Sequence, residues 1–205
     1  MEEARIMEIG TRDFKLGVAA GILSGILVLP ILANLGFLNA VAAVLFVVGM
    51  PVAWVIGLFL VRKIAGTRLW MYQAAKFIVT GFLNTALDFG VLNLLSFMTG
   101  IYSGVNIIFL NSVSFAVAVS NSYFWNKYWT FGQKGGARVG EFATFVIVAF
   151  IGLLVNSGVV FVITTYVPRL DGIDPALLEN IAKALATGFS LIWNFVGFKF
   201  IVFKA

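Results

Sequence analysis

Residues 16–61 read LGVAAGILSGILVLPILANLGFLNAVAAVLFVVGMPVAWVIGLFLV. These 46 positions hold no charged side chain. One membrane crossing needs about 20 apolar residues at a rise of about 1.5 Å each. The run is therefore too long for one span and right for two. Asn34-Leu35-Gly36 supplies the break, predicting helices near 16–34 and 39–61. Four more apolar stretches follow, near 76–98, 105–128, 142–166 and 177–203. A Gly/Ser turn (Gly100, Ser103, Gly104), a polar loop from Gly132 to Gly140 and an Asp/Pro loop from Pro168 to Pro175 separate them. The expected fold is an all-α integral membrane protein with six transmembrane helices.

Composition agrees. The 205 residues are 61% hydrophobic and only 11% charged, with a mean hydropathy of +1.02. A soluble domain carries about 25% charged residues. The chain has neither cysteine nor histidine, which excludes disulfides, thiol nucleophiles, imidazole bases and the usual zinc and haem ligands. No catalytic residue, metal site or cofactor is expected. The net charge of +5 is read as topology and lipid contact, with no nucleic-acid partner.

The cations orient the spans. Twelve Lys and Arg fall on the N-terminal tail, the second and fourth connections and the C-terminus; only Arg169 and Lys183 fall on the other side. Positive residues stay inside, so both termini are expected in the cytoplasm of a multi-pass cytoplasmic-membrane protein. The leader holds Glu2, Glu3, Glu8 and Asp13, and its apolar run exceeds a secretory core of roughly 7–15 residues. The first span is thus not read as a signal peptide.

Three regions follow: a tail with an additional hairpin (1–62), a basic cytoplasmic linker (63–75) and a four-helix core (76–205). Gly17, Gly21 and Gly25, and then Gly49, Ala53 and Gly57, recur every four residues and predict close helix packing within the hairpin, with a homodimer face as the alternative. Within the core, 76–131 and 148–203 form a weak repeat at an offset of 72, aligning Asn84-Thr85 with Asn156-Ser157, Lys127 with Lys199 and Phe131 with Phe203.

The third span carries Lys76, Thr80, Asn84 and Asp88 at four-residue spacing, one stripe along a helix. A carboxylate at mid-bilayer costs about 2.5–3.5 kcal/mol and needs a partner. Lys183 is the expected one, heading a matching stripe of Thr187, Ser190 and Asn194; a neutral Asp88 bonded to an amide is the alternative. Asn111, Ser114, Asn121 and Asn156 add polar groups, read either as interhelical glue or as a pathway. At the end of the fourth span, Asn121-Ser-Tyr-Phe-Trp125-Asn126-Lys127-Tyr-Trp129-Thr-Phe131 is either an aromatic belt with a snorkelling Lys127 or a binding place for a lipid phosphate beside a sugar. Asp171, Asp174 and Glu179 are read as a solvated loop, with sugar or cation capture as the alternative.

Lys76-Phe77, Gly81-x-x-Asn84-Thr85-x-x-Asp88 and Asn121-x-x-x-x-Asn126-Lys127-x-Trp129-Thr130-Phe131 resemble the GtrA-like family, over residues 76–203. The family's four-helix core, also fused to some polyprenyl-phosphate mannose synthases, works in cell-surface polysaccharide and glycolipid synthesis. The resemblance implies a GtrA-like core of two weakly similar hairpins. It also implies a flippase for a polyprenyl-phosphate-linked sugar, or alternatively a membrane anchor for the glycosyltransferase that makes it. The lipid phosphate is expected to meet Lys76, Lys127 and Lys199. The sugar is expected to pass Asn84, Asp88, Asn121, Lys183 and Asn194, with Trp125, Asn126 and Trp129 beside the head group. Membrane lipids, a cytoplasmic glycosyltransferase and a second copy of the chain are the other candidate partners. A glycosyltransferase in its own right is a poor reading, because no cytoplasmic segment exceeds about fifteen residues and a nucleotide-sugar site needs a sizeable pocket.

Overall fold

The computed structural model describes residues 10–34, 37–101, 105–166 and 175–204. Among them the chain is entirely helical outside its turns. The helices are α1 (Thr11–Asn34), α2 (Ala40–Ala65), α3 (Leu69–Thr99), α4 (Val105–Trp125), α5 (Val139–Tyr166) and α6 (Pro175–Gly197). A π-helical turn continues α4 over Asn126–Thr130, and another continues α6 over Phe198–Val202. Four stretches among the described residues are long and apolar enough to cross a membrane: Thr11–Ala33, Ala40–Ala65, Leu69–Thr99 and Val139–Asn156, joined by the shorter apolar segment Gly188–Val202.

The break between α1 and α2 falls where the polar residues predict it. Asn39 caps α2, its side-chain oxygen accepting the Ala42 N–H at 2.9 Å. The stretch 63–75, expected as a linker, is mostly helix: α2 runs to Ala65 and α3 starts at Leu69. Lysine and arginine do not end helices, and Arg62 and Lys63 complement the negative end of α2. Gly66 ends it, at φ +53°.

The described residues form two compact units, Met1–Gly132 and Gln133–Ala205. In the first, α1 packs on both α2 and α3, and α3 packs on α4. The N-terminal hairpin therefore shares a core with the two helices that follow it. Ala20, Leu58, Tyr72, Val79, Leu83 and Trp129 form that core, with residues from α1, α2, α3 and the first π turn.

Backbone proximity makes this possible. A Cβ on Gly21 would lie inside the Pro51 backbone, and one on Gly25 would lie 2.8 Å from the Val47 Cα. Such close approach is how helices associate where lipid tails are as apolar as the side chains themselves. The matching small residues of α2 behave differently, because a Cβ on Gly49 or Gly57 would meet nothing within 4 Å. The α2 stripe lies off the contact. Val41, Val44, Leu45, Val48, Val52 and Ile56 are each more than half exposed along α2, a surface suited to hydrocarbon.

The second unit is α5, α6 and the second π turn. Phe145 stacks on Phe198 with ring centroids 4.1 Å apart, and Phe203 tilts against it at 6.1 Å. The weak repeat is visible in the backbone. Both π turns sit 72 residues apart, closed by Phe131 N–H to the Asn126 carbonyl (2.9 Å) and Phe203 N–H to the Phe198 carbonyl (2.8 Å). Each is followed by positive φ, at Gly132 (+62°) and Lys204 (+48°).

Gly21→Ala is expected to destabilise the protein by about 1–3 kcal/mol through overpacking against α2. Gly57→Ala is expected to leave stability unchanged or slightly raised, since its Cβ enters open space. Thermal unfolding in detergent, compared across the two variants, checks the difference.

Candidate functional site

The four-residue stripe of α3 faces α4 and the start of α1, and each position meets a partner from another segment. Ser114 donates its hydroxyl to Asp88 Oδ1 at 2.7 Å. Asn121 Nδ2 donates to Asn84 Oδ1 at 2.6 Å, while Asn84 Nδ2 donates to the Thr80 carbonyl at 2.8 Å. The Thr80 and Thr130 hydroxyls lie 3.4 Å apart. Lys76 Nζ lies 3.7 Å from Asp13 Oδ1. The result is a ladder of polar rungs, one helical turn apart on α3, inside an apolar span.

Neighbouring polar residues take another course. Thr85, Thr99 and Ser120 each donate to the carbonyl four residues back on their own helix. This satisfies the side chain where water is absent and makes no link between helices. The rungs are thereby distinguished from self-satisfied residues of the same helices.

Asp88 is met by Ser114; the side chains of its expected partner Lys183, and of Asn111 and Thr187, lie outside the described residues, as do those of Asp171, Asp174 and Glu179. In the second unit, Asn194 lies against Gly152, where a Cβ would clash with its amide. Ser190 donates to the Gly152 carbonyl at 2.9 Å, and the Trp193 indole to the Val148 carbonyl at 3.0 Å. Lys199 is half-buried beside the Phe195 and Phe200 rings, at 5.9 and 5.6 Å.

The first π turn arranges the aromatic segment. Its wider i→i+5 winding re-aims side chains relative to an α-helix, a device frequent at functional sites. Asn126 is 1% exposed and donates to the Ser122 carbonyl and hydroxyl at 2.8 and 3.2 Å. Lys127 is 2% exposed, with Nζ 3.4 Å from the Tyr123 hydroxyl and 5.6 and 5.8 Å from the Tyr123 and Tyr128 ring centroids. Lys76 is 8% exposed, ion-paired with Asp13 and over the Tyr72 ring at 5.0 Å. These two lysines, expected to offer charge to a lipid phosphate, are turned inward and engaged with protein groups.

Asp13 is the junction. Its Oδ1 accepts the Trp129 indole N–H at 2.9 Å while pairing with Lys76. One turn of α1 is thus fastened to both α3 and the π turn. Beside it, Arg12 donates to the Tyr128 carbonyl at 2.8 Å.

A groove of about 560 Å³ opens at this junction. One wall is the start of α1, with Thr11, Arg12, Lys15 and Leu16. The other is the end of α4 and the π turn, with Phe124, Trp125, Tyr128 and Trp129. Trp125 and Trp129 meet edge to face at 5.3 Å, and Phe124 stacks on Tyr128 at 6.3 Å. Of the residues singled out from sequence, only Trp125 and Trp129 line it. In sequence, Arg12 and Lys15 are among the twelve cations that read as topology markers. Their role depends on a contact across 116 residues of sequence, which no local pattern signals.

The family model described as GtrA/DPMS, transmembrane domain, matches residues 76–203. No curated protein and no solved structure matches the chain.

Removing either side of the Asp13–Lys76 pair is expected to have unequal effects. Asp13→Leu leaves a buried ammonium and an indole N–H unpartnered and is expected to cost about 3 kcal/mol, at the lower edge of the range for buried pairs. Lys76→Met leaves the half-buried Asp13 still bonded to Trp129, and about 1–2 kcal/mol is expected. Thermal unfolding of both single variants and the double variant reads the asymmetry; the double variant should be more stable than Asp13→Leu.

Proposed function

The chain belongs to the GtrA/DPMS transmembrane-domain family, and from that premise we propose that it is a six-span carrier of the cytoplasmic membrane. It moves a polyprenyl-phosphate-linked monosaccharide between leaflets for cell-surface glycan or glycolipid synthesis. Both termini lie in the cytoplasm on this reading, consistent with the twelve-to-two distribution of cations. The chain acts without chemistry of its own.

The observation that carries the reading is the ladder Thr80/Thr130, Asn84/Asn121 and Asp88/Ser114. A sugar presents hydroxyls that both donate and accept. Amides, hydroxyls and a carboxylate are groups that can exchange their mutual bonds for bonds to such hydroxyls at little net loss. An apolar seam offers no such exchange. The polyprenyl tail needs no pathway, since it stays in hydrocarbon while the head group crosses. No Gly-x-x-x-x-Gly-Lys-Ser/Thr segment occurs in the sequence, so the direct driving force is the gradient of the lipid or an ion coupled through Asp88.

Reorientation of a polyprenyl-phosphate sugar in reconstituted liposomes tests this. Asn84→Leu and Asp88→Leu are expected to slow it at least tenfold at equal reconstituted amounts. Thr85→Val, altering a residue bonded only to its own helix, is expected to leave the rate unchanged. Wild-type rates in both ladder variants would remove the seam from the mechanism.

A further inference from the structure

We infer that the groove between the start of α1 and the first π turn is a recognition site for the phosphate head of a prenyl-type amphiphile. Arg12 and Lys15 take the anion, and the partly exposed rings of Trp125 and Tyr128 take the group beyond it, with the buried Trp129 behind them. This deepens the carrier reading and rests on it for the identity of the amphiphile. It adds a site whose charged wall lies outside the segment 76–203 shared with the family.

The argument begins with charge. Arg12 and Lys15 lie three residues apart, on one face of α1, and both are exposed. Among the described residues that line the groove there is no carboxylate. The adjacent acid, Asp13, is not among the lining residues and is engaged by Trp129 and Lys76. The groove therefore keeps two positive charges, while the inner cluster is neutralised within the protein. One Arg12 N–H is used on the Tyr128 carbonyl. That bond holds the guanidinium at the mouth, and the fork has further donors for a phosphate.

Shape and composition point to an amphiphile. The volume of about 560 Å³ lies within the roughly 300–1,000 Å³ usual for small-ligand sites. Aromatic rings supply most of the second wall, and tryptophan and tyrosine favour the level where lipid head groups lie. Leu16 and the half-exposed Phe124 add apolar surface for the first carbons of a chain. A bare anion would have no use for that wall, and a bare hydrocarbon none for the cations. The Asp13 clasp gives the additional hairpin its purpose here: it holds the cationic turn of α1 across from the aromatic π turn.

The test is a tryptophan-fluorescence titration of the full chain in detergent with farnesyl monophosphate, farnesol and inorganic phosphate as separate probes. Farnesyl monophosphate is expected to bind at least tenfold more tightly than either of the others. Arg12→Gln with Lys15→Gln is expected to weaken it at least tenfold, about 1.4 kcal/mol. Lys63→Gln, which removes a cation elsewhere on the surface, is expected to leave it unchanged. Equal binding by the double variant and Lys63→Gln overturns the assignment, as does inorganic phosphate binding as tightly as the prenyl phosphate. Both side chains are exposed, so the fold is expected to survive; an unchanged unfolding temperature verifies this, and Arg12→Lys, retaining the charge, is expected to recover part of the affinity. Lipid reorientation is measured on the same preparations. Binding without reorientation sinks the carrier reading and leaves the site, whereas reorientation with binding indifferent to Arg12 and Lys15 sinks the site alone.

Discussion

Hydrocarbon offers no hydrogen bonds, and most of the arrangement described above follows from how each polar side chain answers that condition. Thr85, Thr99 and Ser120 answer it locally, on a carbonyl of their own helix. Thr80, Asn84 and Asp88 answer it across space, with Thr130, Asn121 and Ser114. The first solution leaves a helix free to face lipid. The second ties α3 to the segment that follows it and gathers exchangeable polar groups into one seam.

The two hairpins of the repeat have solved the same packing problem differently. At the positions 72 residues beyond Lys76 and Thr80 stand Val148 and Gly152. Gly152 lets Asn194 and Ser190 approach its backbone closely. At the positions beyond Gln73 and Asn126 stand Phe145 and Phe198, which stack. The second hairpin thus relies on close backbone approach and ring stacking where the first relies on polar pairs. Both keep the π turn and the positive φ after it, so the shared feature is backbone geometry. Among the described residues, the polar rungs lie in the first hairpin, together with the α1 clasp that Asp13 provides.

A good part of this is legible along the chain. The gap at Asn34 to Gly36 marks a helix boundary because 46 uncharged residues exceed one bilayer crossing. The Lys76 to Asp88 stripe is visible because four-residue spacing stays on one helix face. The repeat shows through a few aligned residues. Less legible is the fate of each charge. Lys127 sits beside tryptophans at a span end and reads either as a snorkelling cation or as a partner for a lipid phosphate, yet in the π turn it is buried against Tyr123. Residues 63–75, with Lys63 and Arg68, read as a basic linker, yet most of them are helical because only the turn at Gly66 separates α2 from α3.

Local composition and periodicity determined the membrane solvent, the helical class, most of the helix boundaries and the α3 face that carries polar groups. Each of these depends on residues within a few turns of one another. Tertiary structure decided which polar groups pair and which cations stay available. Lys76 and Arg12 are equally basic on paper, but Asp13 neutralises the first, whereas the second stands at the mouth of a groove. That outcome depends on α1 lying beside a π turn 116 residues away, and a contact at that separation leaves no period in the sequence to read.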